Sequence, residues 1–276
     1  MPGLSLNLSA DGVLPGEAYL ADTPVLRTHA GTQPDLFLRW NAVPTAARAI
    51  DVVVHLHGFS QQGGAMALSE KVARSGLDLG GRTRPTLALM PRGNWIRHTY
   101  YDFPALSAGG LDALVAYGLE CFGRGLTLDR LILTAHSGGV MPALDIIAEA
   151  RRAPDELHLF DGLYGRDPAF GEPLRDLATI DRWLADRFAG EPERPGALRP
   201  GALRIVYVER QTGEMSRAVA ALIAKHLASA DPALAALLSR RYRIDQSGVP
   251  HGYVAWRCGP DLLAQPDIAF DWEKPI

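Results

Sequence analysis

Short apolar runs alternate with amphipathic helical patterns along most of the chain. Several of these runs are apolar at almost every position, as strands buried on both faces of a sheet are. The alternation predicts an α/β fold, a mostly parallel twisted sheet with helices on both faces. The predicted strands are Leu36–Trp40, Val52–Leu56, Leu87–Met90, Leu131–Ala135, Leu157–Phe160, Leu203–Val208 and Tyr242–Ile244. The predicted helices lie near Gly64–Leu77, Leu111–Phe122, Val140–Arg151, Thr179–Phe188, Met215–Ala228 and Pro232–Arg240.

No second stretch of the chain has the pattern of a separate core, so residues 1–276 are predicted to form a single domain. The segment "GEPERPGALRPGALR", residues 190–204, repeats Arg-Pro-Gly-Ala-Leu, and Pro and Gly at this density break both helix and sheet. The connection between the strands ending at Phe160 and beginning at Leu203 is longer than an ordinary crossover needs. Because such extra length often forms a lid, residues 162–202 are a predicted cap-like insertion.

The composition is that of an ordinary globular protein, with 47% hydrophobic and 21% charged residues. The formal net charge is −3 and the pI is near 6.2, so the chain has no basic surface for neutralising phosphates. We therefore exclude nucleic acid as a partner. No apolar run approaches the roughly 18 to 20 residues that cross a bilayer, so no membrane span is predicted. The oligomeric state stays open.

The N-terminus, "MPGLSLNLSADGVLPGEAYLAD", lacks the charged and apolar regions of a signal peptide. We therefore expect a cytoplasmic protein. The two cysteines, Cys121 and Cys258, have no metal-ligand spacing, and a bridge between them stays open.

The segment "LILTAHSGGVMPALDIIAEA", residues 131–150, joins a predicted strand directly to a predicted helix. A nucleophilic serine at such a turn has a strained backbone that exposes its hydroxyl, and the residues two before and two after it must be small. Ala135 and Gly139 meet this requirement around Ser137. The alternative, a serine that caps the helix, does not require small residues on both sides. We therefore predict that Ser137 is a nucleophile, and we interpret His136 as a wall residue.

Three segments, "VVVHLHGFS", "LILTAHSGGV" and "VPHGYVAW", resemble in this order the oxyanion, nucleophile and histidine segments of the α/β-hydrolase superfamily. The resemblance runs roughly from the strand at Val52 to Trp256. It implies a serine hydrolase that needs no cofactor. It also implies an oxyanion hole made by the backbone N–H groups of Phe59 and Gly138, with Gly58 allowing the sharp turn before Phe59.

The two histidines of "HLHGFS" allow a second interpretation. His55 and His57 are two residues apart on a predicted strand, so they share a face and could bind a metal ion. No Asp or His follows in a metallohydrolase arrangement. We therefore predict that these histidines support the oxyanion loop by hydrogen bonding, and we predict no metal site.

A serine hydroxyl needs a base close in space, and the base needs a carboxylate on its other nitrogen. His251 follows the last predicted strand, where the resembled family has its histidine. For the acid, Asp161 and Glu209 both follow strands at the correct edge of the sheet. The superfamily most often has its acid near Glu209, but some members have it one strand earlier. We favour Asp161, which follows an apolar run within "DGLYG", and we interpret Thr212 as the cap of the next helix.

The loop "PRGNWIRHTYYDFPALSAGG" is rich in aromatic side chains, which either line a binding cleft or pack the loop down. These aromatic residues are Trp95, His98, Tyr100, Tyr101 and Phe103. Arg92 or Arg97 could bind a substrate carboxylate.

A small-molecule carboxylic ester is the expected substrate because it is the easier target for this triad. Amide or peptide bonds remain an alternative with the same residues. A non-catalytic binding protein of the same fold is the third hypothesis, but a pure binder need not keep competent residues in all three segments.

Overall fold

The computed structural model describes residues 3–59, 66–96, 99–165, 173–188, 201–230 and 232–270. The strands in these ranges are β1 (Leu8–Ser9), β2 (Gly12–Val13), β3 (Gly16–Leu20), β4 (Leu36–Trp40), β5 (Val43–Pro44), β6 (Ala49–Leu56), β7 (Thr86–Pro91), β8 (Asn94–Ile96), β9 (Thr99–Asp102), β10 (Thr127–His136), β11 (Glu156–Phe160), β12 (Ala202–Tyr207) and β13 (Tyr242–Gln246). The α-helices are α1 (Leu68–Val72), α2 (Gly110–Phe122), α3 (Val140–Glu149), α4 (Pro173–Phe188), α5 (Glu209–Ala228), α6 (Pro232–Arg241) and α7 (Val254–Ala264).

Eight of these strands form the central sheet, in the order β13-β12-β11-β10-β6-β7-β4-β3. The six strands from β13 to β7 run parallel, and β4 and β3 are antiparallel to their neighbours. Helices α1 and α7 cover one face of the sheet, and α2 to α6 cover the other. The predicted α/β fold with a mostly parallel sheet is confirmed.

The apolar runs are explained by burial on both faces of the sheet. In β6, Val52 and Val54 pack into the larger core under α2 and α3, whereas Val53 packs into a second core beside α1. All three side chains are fully buried. Successive side chains of a strand point to opposite faces, so a strand covered on both sides must be apolar at nearly every position.

The ends of the chain differ most from the prediction. Strands β1, β2, β3 and β5 were not predicted, nor were β8 and β9 in the aromatic loop. Strand β3 gives little signal because "GEAYL" is at most half-buried and lacks an apolar run. Helix α7 was also missed, since Gly259 and Pro260 lie inside it and both residues disfavour a helix interior.

Three predicted helices differ by several residues from their predicted bounds, and one of them, α4, begins at Pro173 and not near Thr179. Helix α1 is only Leu68–Val72, shorter than the predicted Gly64–Leu77, and residues 64–65 of the predicted helix lie outside the described residues. Helix α5 begins at Glu209 and is preceded by Val208 as its N-cap. The interpretation of Thr212 as the helix cap was therefore wrong, because Thr212 lies inside the first turn.

The predicted cap, residues 162–202, contains α4. Ile180, Trp183 and Leu184 of this helix are buried in the larger core of the α/β fold. Residues 166–172 and 189–200, which include most of the Pro- and Gly-rich repeat, lie outside the described residues. The lid therefore remains a prediction.

The sequence also left open a disulfide bridge between the two cysteines and predicted no membrane span. Cys121 and Cys258 are both free and buried, so they do not form a bridge. Among the described helices, none has both the length and the apolar character required to cross a bilayer.

The register of the central strands places the predicted site residues together at one edge of the sheet. His136, the last residue of β10, lies opposite Phe160, the last residue of β11. Ser137 and Asp161 therefore leave neighbouring parallel strands side by side. Strand β6 is the other neighbour of β10, so the segment that begins with His57 leaves the sheet beside Ser137 as well.

Candidate active site

Ser137 lies at a sharp turn between β10 and α3, with a φ of 53° in the left-handed region. The surrounding chain is packed too closely for larger residues. A Cβ added to Gly139 would lie 2.5 Å from the Leu56 carbonyl oxygen, and one added to Gly162 would lie 2.2 Å from the Ser137 carbonyl oxygen. Helix α3 has no side-chain cap. The Ser137 hydroxyl therefore does not cap α3 and points into the site instead.

The structure brings Ser137, His251 and Asp161 together. Ser137 Oγ donates to His251 Nε2 over 2.8 Å, and His251 Nδ1 donates to Asp161 Oδ2 over 2.6 Å. His251 opens a short 3₁₀ helix after β13, and Pro250 is the residue before that helix. The Ser137 side chain is buried and the His251 side chain is 43% exposed, so the imidazole lies at the mouth of the site.

The second carboxylate oxygen of Asp161 is held from the far side by the start of α5. Oδ1 accepts a hydrogen bond from the Val208 backbone N–H over 2.8 Å and another from the Thr212 hydroxyl. Burial raises the pKa of Asp161, but the hydrogen bonds from His251, Thr212 and Val208 outweigh burial and lower it below its ordinary value. The carboxylate is therefore ionised and fixed, as an orienting partner for an imidazole must be.

The other candidate acid, Glu209, is the first residue of α5. Its side chain lies outside the described residues. Val208, the residue before it, and Thr212, three residues after it, both donate to the Asp161 carboxylate.

The phenol of Tyr164 also reaches Ser137 and His251. The Tyr164 hydroxyl lies 3.1 Å from Ser137 Oγ and 3.4 Å from His251 Nε2. Burial raises the pKa of Tyr164, so the phenol stays protonated and can donate to the serine oxygen. Tyr164 belongs to the segment "DGLYG" that follows β11, and the sequence reasoning assigned no role to its hydroxyl.

The predicted oxyanion segment lies against the serine turn. A Cβ added to Gly58 would lie 2.6 Å from Ser137 Cβ, so this position requires glycine for the close approach of the two loops. The next residue, Phe59, has a side chain that is 47% exposed. The roles of the Phe59 and Gly138 N–H groups as oxyanion donors stay a prediction.

The buried histidines around this segment are neutral structural groups. Gly93 N–H donates to His57 Nε2 over 2.9 Å, and His57 Nδ1 donates to the Gly58 carbonyl over 3.0 Å. His55 Nδ1 lies 2.8 Å from Thr134 Oγ1. Burial lowers the pKa of His57 and lowers that of His55 to about 3. His57 therefore supports the predicted oxyanion loop through the Gly58 carbonyl, whereas His55 bonds to Thr134 in the neighbouring strand β10.

His136 is a wall residue of the site. Its Nε2 donates to the His251 backbone carbonyl over 2.9 Å, and the two rings lie 5.1 Å apart. Burial lowers the pKa of His136 to about 4, so the ring is neutral and braces the loop that carries the base. Within the described residues, no group of His, Cys, Asp and Glu side chains could hold a metal ion.

A cavity of about 650 Å³ opens above Ser137 and His251. Its lining combines polar and apolar surface in about equal parts, and it includes the charged side chains of Glu70, Lys71 and Arg74. The lining residues are His55, His57, Gly58, Phe59, Met66, Glu70, Lys71, Ala73, Arg74, Ser75, His136, Ser137, His251 and Gly252.

The aromatic loop does not contribute its described residues to this cavity. Phe103 is buried and packs with its ring edge against His57, at a centroid distance of 5.3 Å. Arg92 is buried and donates to the backbone carbonyls of His29 and Thr32, so its proposed role as a substrate anchor was wrong. Trp95 is half-buried and does not line the cavity.

Arg97 and His98 lie outside the described residues, as do the side chains of Tyr100 and Tyr101.

Comparisons with known proteins find similarity in three-dimensional structure but no match in sequence. No protein-family model and no curated protein matches the sequence. The solved structure of FphF, a fluorophosphonate-binding serine hydrolase of Staphylococcus aureus, matches with a TM-score of 0.55 at 9% identity, covering 93% of this chain and 100% of that chain. An S-formylglutathione hydrolase from Agrobacterium tumefaciens matches with a TM-score of 0.49 at 15% identity, covering 97% of this chain and 99% of that chain.

The match to FphF and the strand order define the fold class. The chain has the α/β-hydrolase fold, with the serine turn after a central parallel strand and the histidine after the last strand. The likeness extends over nearly the whole of both chains.

Proposed function

We propose that this protein is a serine hydrolase that cleaves carboxylic esters through an acyl-enzyme. The observation that carries the proposal is the continuous hydrogen-bonded chain from Ser137 Oγ to His251 at 2.8 Å and from His251 to Asp161 at 2.6 Å. A nucleophile, a base and an orienting carboxylate in this order are the parts of a catalytic triad.

In the proposed acylation step, Ser137 Oγ attacks the carbonyl carbon of the ester. His251 Nε2 takes the serine proton as the bond forms, and Asp161 stabilises the imidazolium through Nδ1–H. The Tyr164 hydroxyl donates to the same serine oxygen from a distance of 3.1 Å. The Tyr164 hydroxyl thus adds a hydrogen bond to the nucleophile and does not block proton transfer from Ser137 Oγ to His251 Nε2.

The carbonyl oxygen becomes negatively charged in the tetrahedral intermediate. The N–H groups of Gly138 and Phe59 are the proposed donors to this oxygen, and each such donor typically contributes about 10²- to 10³-fold to kcat. The intermediate then collapses: the carbon–oxygen bond to the alcohol breaks, and His251 gives its proton to the departing alcohol.

Deacylation repeats the same chemistry with water. His251 takes a proton from a water molecule that attacks the acyl-enzyme, and the proton passes to Ser137 Oγ when the acid leaves. The cavity beside the serine includes the charged side chains of Glu70, Lys71 and Arg74, which are costly to desolvate against a long alkyl chain and so support a short or polar acyl group.

An activity panel tests this proposal. The purified protein is incubated with p-nitrophenyl acetate, butyrate and dodecanoate and with butyryl p-nitroanilide. We expect kcat/KM to be highest for the short esters and lower for the dodecanoate and the anilide. A preference for the anilide indicates an amidase with the same triad. Folded protein with no turnover above the buffer blank on every compound contradicts the proposal and favours a binding role.

A further inference from the structure

A lysine ammonium contacts the backbone of the predicted oxyanion segment. Lys71, near the end of α1, donates from Nζ to the Gly58 carbonyl over 2.8 Å and to the Phe59 carbonyl over 3.0 Å. Lys71 and this segment also line the cavity above Ser137. The side chain therefore connects the helix on one side of the cavity with the loop on the other.

The Gly58 carbonyl has a second donor. His57 Nδ1 lies 3.0 Å from it, and the His57 ring is held in turn by the Gly93 N–H on Nε2. The carbonyl oxygen is thus fixed by two independent side chains, one neutral and one charged. A carbonyl held in this way determines the direction of the whole peptide unit.

The peptide between Gly58 and Phe59 contains both the fixed carbonyl and the predicted oxyanion donor. In a planar trans peptide the N–H points to the side opposite the C=O. The Phe59 N–H therefore points away from the Lys71 ammonium. Gly58 lies so close to the serine turn that a Cβ on it would be 3.2 Å from Ser137 Oγ.

We propose that Lys71 is a positioning residue for the oxyanion hole: its ammonium fixes the Gly58–Phe59 peptide so that the Phe59 N–H faces the oxyanion, and polarises that N–H. The inference rests on the proposed serine hydrolase function. A positive charge on the carbonyl oxygen withdraws electron density from the peptide nitrogen, so the N–H becomes a stronger donor. The gain is largest when the oxyanion carries its full charge, so it affects kcat more than KM.

The charges around Lys71 set the pH range of this effect. Burial and the Arg74 guanidinium lower the pKa of Lys71 to about 8, against the opposing effect of Glu70. Across the cavity the facing titratable groups are His55 and His57 at the end of β6, and His136 and His251 at the serine turn. The first three have lowered pKa values and are neutral at this pH. The ammonium is therefore present below about pH 8 and is lost above it.

The test compares Lys71→Met and Lys71→Arg with the wild type, and Lys225→Met serves as the control. Lys225 is an exposed lysine on α5 that contacts Asp181, remote from the cavity. We expect Lys71→Met to lower kcat for a p-nitrophenyl ester by about 10- to 100-fold with little change in KM, because one oxyanion donor is weakened rather than removed. Lys225→Met should match the wild type.

The pH profile distinguishes positioning from general structural support. Wild-type kcat should fall as the pH rises through about 8. Lys71→Arg keeps its charge at alkaline pH, so it should retain most of the activity and lack this fall. A Lys71→Met protein with wild-type kcat, or a Lys71→Arg protein that keeps the fall near pH 8, overturns the inference. If Lys71→Met does not fold by circular dichroism, the Lys71→Arg profile still decides.

A spectroscopic readout separates this inference from the proposed function. In ¹H–¹⁵N spectra of the wild type, the Phe59 amide signal should shift as Lys71 titrates near pH 8, and this shift should vanish in Lys71→Arg. An amide that does not titrate in the wild type overturns the inference even if the protein is an active hydrolase. A titrating amide in a protein without hydrolase activity means that the proposed function alone has failed.

Discussion

Replacing Ser137 with alanine is expected to lower kcat for p-nitrophenyl butyrate by about 10⁴-fold or more. The variant removes the only atom that the proposed mechanism joins covalently to the acyl group. It also leaves His251 Nε2 without the donor that lies 2.8 Å away. Because the lost group is a single hydroxyl at a turn that alanine can occupy, the fold should persist.

The measurement compares initial rates of the wild type, Ser137→Ala and Ser239→Ala. Ser239 is an exposed serine of α6 whose hydroxyl contacts only its own helix, at the Ala236 carbonyl. The control variant should retain wild-type rates. A folded Ser137→Ala protein that keeps more than a small fraction of the ester turnover contradicts the assignment of the nucleophile.

Replacing Asp161 with asparagine is expected to lower kcat by about 10⁴-fold, although the side chain keeps its shape. The amide is neutral, so it cannot stabilise the imidazolium. Its NH₂ group can also hold His251 in the wrong tautomer. The carboxylate makes three hydrogen bonds, to His251, Val208 and Thr212, and its lowered pKa keeps it ionised across the working pH range.

Glu209→Gln is the matched variant for the other candidate acid. Glu209 follows the neighbouring strand, and its replacement should leave kcat near the wild-type value. Both proteins are assayed on the same p-nitrophenyl ester after their folds are compared by circular dichroism. Loss of turnover in Glu209→Gln alone assigns the acid to Glu209 and shows that the choice of Asp161 was wrong.

The central sheet could be predicted from the sequence because its strands are buried on both faces. Burial of this kind leaves a continuous apolar run, as in "LALM" of β7, and such a run needs no knowledge of the partner strand. Strand β3 lies at the edge of the sheet and is at most half-buried, so its residues carry little of that signal. Helix α7 is held by burial of Cys258 and Leu262 despite its internal proline.

The sharp turn at Ser137 could be predicted because a steric requirement acts within a few residues. Gly139 must be small since the Leu56 carbonyl lies against it, and this constraint is visible in "AHSGG". The acid is different. Asp161 and Glu209 follow strands about 5 Å apart, and both reach the same edge of the sheet. Which of the two carboxylates meets the imidazole depends on the path of the loop that carries His251. No local sequence pattern predicts that path.

Tyr164 and Lys71 show the same limit. Each contact depends on how separate loops meet in space: Tyr164 is 27 residues from Ser137, and Lys71 is 13 residues from Gly58. A phenol or an ammonium has no required spacing from the groups that it contacts. The segment "DGLYG" did hold the relevant tyrosine beside the favoured acid, which was the one available signal.

Labelling with a fluorophosphonate tests the central claim most directly, namely that the meeting of Ser137, His251 and Asp161 creates a reactive alcohol. The protein is incubated with the probe, and the modified residue is located by peptide mass spectrometry. We expect one label per chain, on Ser137, with labelling slowed strongly in His251→Ala and absent in Ser137→Ala. Folded wild-type protein that takes up no label, or that is labelled at another residue, contradicts the account.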